Sequence, residues 1–167
     1  ERQSLVQKVG ENVIIRKKEC IGGDNLYSYI HSNGKVGALV SLKDDNEELG
    51  KDIAMHVTAS NPKFLSPEDV DSETIEKEKQ ILKAQVEDTN KPEEIIEKMI
   101  EGRLNKFLSE ISLLKQPFVK DPSTSIENIL NDHKNSIVEF TRIEVGEGIE
   151  VEQKDFASEV QAQLQNS

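Results

Sequence analysis

Apolar residues recur at spacings of three and four along the middle of the chain. Ile96, Met99, Ile100, Leu104, Phe107, Leu108, Ile111 and Leu114 fall on one stripe of an α-helix. Pro92 suits the first turn, Glu93 and Glu94 sit on the favourable side of the helix dipole, and Pro117 marks the far end. Upstream, Ile75, Leu82 and Val86 trace a thinner stripe that predicts a second helix, roughly Ser72 to Asp88. The connection Thr89-Asn90-Lys91 is short enough to fold the two into an antiparallel pair. Such a hairpin cannot bury its stripe alone. It either leans on the body of the protein or stays exposed for a partner or a second copy, and the pattern leaves both open.

Elsewhere the period changes. Leu5, Val6 and Val9 share a helical face, and Gly10 can close that helix in a left-handed conformation. Asn12 to Cys20 alternates and predicts a strand with one buried and one wet end. Leu26–His31 and Val36–Leu42 predict a β-hairpin with Asn33-Gly34 at its turn, and Gly37 suggests a bulge or a close backbone approach. Leu49, Ile53 and Val57 line the inner face of a helix that Asp45 or Asn46 can cap. Ser66-Pro67-Glu68-Asp69 is a helix-start signal, and Thr124 with Glu127 reads as a capping box for a short helix ending near His133. Ile137–Val145 predicts a last strand, and Phe156, Val160 and Leu164 mark a terminal amphipathic helix. The fold class is therefore α+β: a small antiparallel sheet with packed helices, an inserted antiparallel helical hairpin and a terminal helix.

Charge and composition narrow the partners. A formal net charge of −11 repels nucleic acid and anionic membranes, and Arg16-Lys17-Lys18 is too small a basic patch to offset it. No run is long enough to cross a membrane. The single cysteine, Cys20, excludes an internal disulfide and fits a reducing compartment. At the end of a predicted strand it is expected to be a half-buried thiol rather than a nucleophile. His31, His56 and His133 lie on different elements, so a metal site is not expected, and no nucleophile or acid–base motif is present. Gly22-Gly23-Asp24 lacks the Lys-Ser or Lys-Thr of a phosphate loop.

What remains looks like binding surface. Pro117 and Pro122 frame the pair Phe118-Val119 in an extended loop, where apolar side chains lose little entropy on docking. Phe118 reads equally as a residue tucked into its own core. His31 reads as a strand-end surface histidine or as a binding residue.

Several segments together resemble elongation factor Ts, the guanine-nucleotide exchange factor of elongation factor Tu. They are Leu5-Val6-Gln7-Lys8-Val9-Gly10-Glu11-Asn12, the strand around Tyr29-Ile30-His31, Asp52-Ile53-Ala54-Met55-His56-Val57, Glu101-Gly102-Arg103-Leu104-Asn105-Lys106-Phe107, Gln116-Pro117-Phe118-Val119, and Phe140 to Ile149. The family opens with a small ubiquitin-associated-like helical module and a half-domain bearing a Thr-Asp-Phe-Val segment. Neither is present in these 167 residues, so the chain is read as the carboxy-terminal part.

The resemblance implies a division of the chain. Residues 1–22 are similar to the end of an amino-terminal core subdomain, and residues 23–62 with 112–146 to the carboxy-terminal core subdomain. Residues 63–111 resemble the dimerisation hairpin, and residues 147–167 the terminal module that packs on the partner. It further implies binding to elongation factor Tu in the cytoplasm, with no cofactor, no enzymatic chemistry, no nucleic acid and no membrane, and a homodimer through the hairpin. The partner-binding residues it implies are Val9, Gly10, His31, Val119 and Lys120; the proline-framed loop adds Phe118 and the terminal helix adds Phe156. Lys120 stands where a family member has methionine and Val9 where it has isoleucine. The lysine makes that loop contact less apolar, which puts more weight on Val119.

Overall fold

One helix organises the body of the protein. In the computed structural model, which describes residues 1–11, 14–86 and 92–148, helix α2 (Glu47–Ser60) lies across a three-stranded antiparallel sheet. Its inner stripe is as the periodicity requires, with Leu49, Ile53 and Val57 all buried. Asn46, not Asp45, is the cap: its Oδ1 accepts the Leu49 amide at 3.1 Å, while Asp45 takes the Tyr27 hydroxyl. Asn61, in a left-handed conformation, ends the helix ahead of Pro62.

The sheet has the order β1 (Asn25–Ile30), β2 (Val36–Leu42), β3 (Ile137–Glu144). β3 joins β2 only after a long excursion through four helices. Ala38, Val40 and Leu42 from β2 meet Leu49, Ile53, Ala54 and Val57 from α2 in one core, closed at its end by Leu113, Phe118, Ile126, Leu130 and Ile137. Burying these side chains supplies the main driving force for folding this body.

Two details depart from the sequence expectation. The hairpin turn is wider than an Asn-Gly two-residue turn: the His31 amide donates to the Val36 carbonyl at 2.9 Å, and only Gly34 takes positive φ. Gly37 carries no bulge; a Cβ there would meet the Tyr29 carbonyl oxygen at 3.3 Å, so close approach is its role. The bulge falls at Ser41/Leu42 instead.

The expected strand over residues 12–20 does not form in its described part. Residues 14–20 are irregular, with Ile14, Ile15 and Cys20 exposed. Alternation assigns faces to an extended segment but provides no neighbour for its amide groups. This segment touches the turn after β3 through a side chain, Arg16 Nη2 donating to the Glu147 carbonyl at 3.0 Å.

The remaining helices are α1 (Arg2–Val9), α3 (Ser72–Val86), α4 (Glu93–Ile111) and α5 (Ile126–Asp132). Gly10 closes α1 at φ 77°, and α1 buries none of its residues. Ser66-Pro67-Glu68-Asp69 makes only a single 3-10 turn (Pro67–Asp69), and α3 is started by Asp71, whose carboxylate accepts the Thr74 amide at 2.8 Å. Phe64 pairs with Ser112, so the chain leaves the body and returns at one place, which makes α3 and α4 antiparallel. Leu82 and Val86 are buried between them, yet the α4 stripe is half-buried throughout. At α5 the cap is Ser125 rather than Thr124, and Glu127 pairs with Lys115 at 2.6 Å. Among the described residues no helix is long and apolar enough to cross a membrane. The hairpin connection and the terminal helix lie outside the described residues.

Candidate functional site

The proline-framed loop is a closed, self-bonded structure. The Phe118 amide donates to the Thr124 carbonyl at 2.9 Å, and the Asp121 amide to the Phe118 carbonyl at 3.1 Å. The Asp121 carboxylate then accepts the Ser123 amide and hydroxyl at 3.1 and 2.6 Å. These hydrogen bonds hold the Asp121 carboxyl below the usual carboxylate range. Neighbouring side chains on an extended backbone point to opposite sides, so one of Phe118 and Val119 must face inward. The larger ring does. Phe118 is 8% exposed and joins the core, whereas Val119 is 44% exposed.

Two ties fasten the loop to α2. Lys120 Nζ reaches Asp52 Oδ1 at 2.5 Å on the surface. Deeper, His56 is fully buried: its Nδ1 faces the Val119 amide at 3.2 Å and its Nε2 faces Gln116 Oε1 at 2.9 Å. Burial pushes the His56 pKa down, partly opposed by the hydrogen bond to Gln116 Oε1.

His31 stands at the end of β1, exposed, with its ring 6.5 Å from that of Tyr29. It comes together with Val119 on one cleft of about 300 Å³ between the β-hairpin tip, α2 and the loop, whose floor includes Met55, Thr58 and Ala59. Lys120, paired with Asp52, does not line it. Val9 and Gly10, at the exposed end of α1, do not line this cleft, and Phe156 is outside the described residues. A groove of about 310 Å³ on the opposite face of the sheet, between Ile30, Leu39 and Ile143, contains none of the sequence-predicted site residues.

His56 and Gln116 were not recognisable as site residues in the sequence. The only local signal was position: His56 falls between Ile53 and Val57 on the inward side of α2. The cleft is apolar with one imidazole at its rim, which suits the side chains of a protein partner better than a reaction centre.

The sequence matches the family model "Elongation factor TS" over residues 1–147. The chain belongs to the elongation factor Ts family. It is 50% identical over 164 residues to elongation factor Ts of Hahella chejuensis, covering 98% of this chain and 57% of that protein. It is 49% identical over 162 residues to elongation factor Ts of Marinobacter nauticus, covering 97% and 56% respectively. Elongation factor Ts of Francisella tularensis subsp. novicida is 45% identical over 163 residues, covering 98% and 56%. The chain thus spans about half the length of the curated relatives it matches.

Proposed function

We propose that this chain binds elongation factor Tu during polypeptide elongation, and that the cleft joining His31 to Val119 is part of the docking surface. The observation that carries this reading is the division of labour in the loop. Phe118 anchors it in the core while Val119 is left outside on a backbone already fixed by hydrogen bonds. A restrained apolar side chain beside a shallow cleft docks with little loss of entropy.

In this reading the activity is guanine-nucleotide exchange by binding, without a cofactor and without covalent chemistry, in the cytoplasm. Residues 23–62 and 112–146 act as the core that holds the partner, with residues 1–22 belonging to a neighbouring core subdomain. The hairpin at 63–111 serves self-association, and residues 147–167 make a further partner contact. The half-buried α4 stripe favours a second reading, in which the chain is chiefly a dimerisation module.

Exchange requires that the nucleotide-free partner be bound more tightly than the loaded one. These residues contain no Thr-Asp-Phe-Val run, the family segment expected to intrude beside the nucleotide. Surfaces that only hold the partner add affinity equally to both states and leave the nucleotide equilibrium unchanged. The chain alone is therefore expected to bind elongation factor Tu weakly and to accelerate GDP release little. Release of a fluorescent GDP analogue, measured with this chain and with a version carrying the segment, tests this. Strong acceleration by the chain alone would show that the core surfaces themselves discriminate between partner states.

A further inference from the structure

His56 sits in a hydrogen-bond chain whose direction is fixed at both ends. At one end is the Glu110 carbonyl, at the last turn of α4, which can only accept; Gln116 Nε2 donates to it at 2.6 Å. This turns Gln116 Oε1 toward His56 Nε2 at 2.9 Å. At the other end is the Val119 amide, which can only donate, at 3.2 Å from His56 Nδ1. One proton assignment satisfies every link: a neutral imidazole with its hydrogen on Nε2 and a free lone pair on Nδ1.

The hydrogen-bond chain ties α2 to a stretch some sixty residues later, which carries both the base of the helical hairpin at Glu110 and the loop that presents Val119. The other tie between loop and helix, Lys120 with Asp52, is an exposed ion pair of the kind that contributes little. The buried tie is the one that sets the loop.

We infer that His56 is a positioning residue for partner docking: as its Nε2–H tautomer it holds the Val119 amide, fixes the loop over the cleft, and links that loop to the hairpin base through Gln116. This rests on the docking reading above. Protonating the ring would set an N–H at Nδ1 against the Val119 N–H and break the tie. The ionisable groups on the elements around it include Asp52 and Lys120, paired with each other, Glu47 paired with Lys51 and the nearby Glu48 on α2, and Asp121 bonded to Ser123 in the loop. They also include Glu110 paired with Lys106 on α4, Lys115 paired with Glu127, Arg142 bonded to the Thr58 carbonyl and to Glu144, and His31 with Tyr29 on β1. Among the described residues the ring itself bonds only Gln116 and Val119.

The test uses the whole 167-residue chain, labelled with ¹⁵N. Ring correlation spectra near neutral pH are expected to show His56 with its proton on Nε2, and Val119 with a slowly exchanging amide. On acidification that amide is expected to lose protection together with protonation of the His56 ring. Gln116→Met keeps the volume and removes the link; Val119 exchange should then rise about tenfold, the size of one net hydrogen bond. His56→Leu removes both links, and elongation factor Tu affinity should fall about tenfold in either variant. A ring protonated on Nδ1, or Val119 exchange unmoved in Gln116→Met, overturns the proposal. So does an altered loop with unaltered affinity. A parent chain that shows the latch yet fails to bind elongation factor Tu refutes the docking reading and the positioning role with it.

Discussion

Gly50→Ala exchanges a poor helix former for the best one inside a helix, and the structure requires it to destabilise the protein. A Cβ at Gly50 would lie 2.1 Å from Cδ2, 2.2 Å from Cγ and 2.7 Å from Cε2 of Tyr27, well inside the 3.0 Å below which something must shift. The ring cannot swing aside freely. Its hydroxyl donates to Asp45 Oδ1 at 2.5 Å and accepts the Asn46 amide at 2.9 Å, so it is clamped to the very start of α2. Relief means lifting α2 from β1 or releasing those bonds. A helix-propensity gain of about 1 kcal/mol, set against overpacking of about 1–3 and one or two hydrogen bonds of about 1 each, leaves a loss of roughly 1–4 kcal/mol. Gly102→Ala is the matched control, because nothing lies within 4 Å of its Cβ on α4. It should gain about 1 kcal/mol from propensity alone. Urea unfolding followed by circular dichroism, with unchanged m-values, measures both. If Gly50→Ala matches or exceeds the parent in stability, the close packing of α2 on Tyr27 is wrong.

Two further outcomes follow from the core around the loop. Phe118→Ala should cost about 3–5 kcal/mol, since the ring is buried against Ile126 and its neighbours; a fully stable variant in thermal unfolding would remove Phe118 from the core. His56 has a lowered pKa in the folded state, so the unfolded chain binds its proton more readily. Its contribution to stability is complete above about pH 6.5, the ordinary histidine value, and is lost as pH falls through the lowered folded value. Denaturant titrations at stepped pH should show this slope in the parent and a reduced one in His56→Leu.

Elements whose evidence lies within their own few residues were legible in the sequence. The α2 stripe, the two helices of the hairpin, and β1, β2 and β3 all carry period and punctuation strong enough to place them. The segment after Gly10 misled because alternation is only half of a strand; pairing is supplied by distant chain, and among the described residues none pairs with residues 14–20. Cys20 is accordingly exposed rather than half-buried. The paired prolines showed that the loop is restrained but not which way it faces, and the core settled that by taking Phe118. His56 escaped for a related reason. Its position on the inward stripe was visible, but its partners stand 60 and 63 residues later.

The docking claim is tested most directly by titrating elongation factor Tu with the parent chain and with Val119→Asp. Val119 is exposed beside His31, so the aspartate should leave circular dichroism and unfolding unchanged. At a desolvated contact it should cost about 2 kcal/mol or more of binding, a loss of roughly thirtyfold in affinity. Equal affinities for the two chains, with both folded, would contradict the assignment of this cleft to the partner.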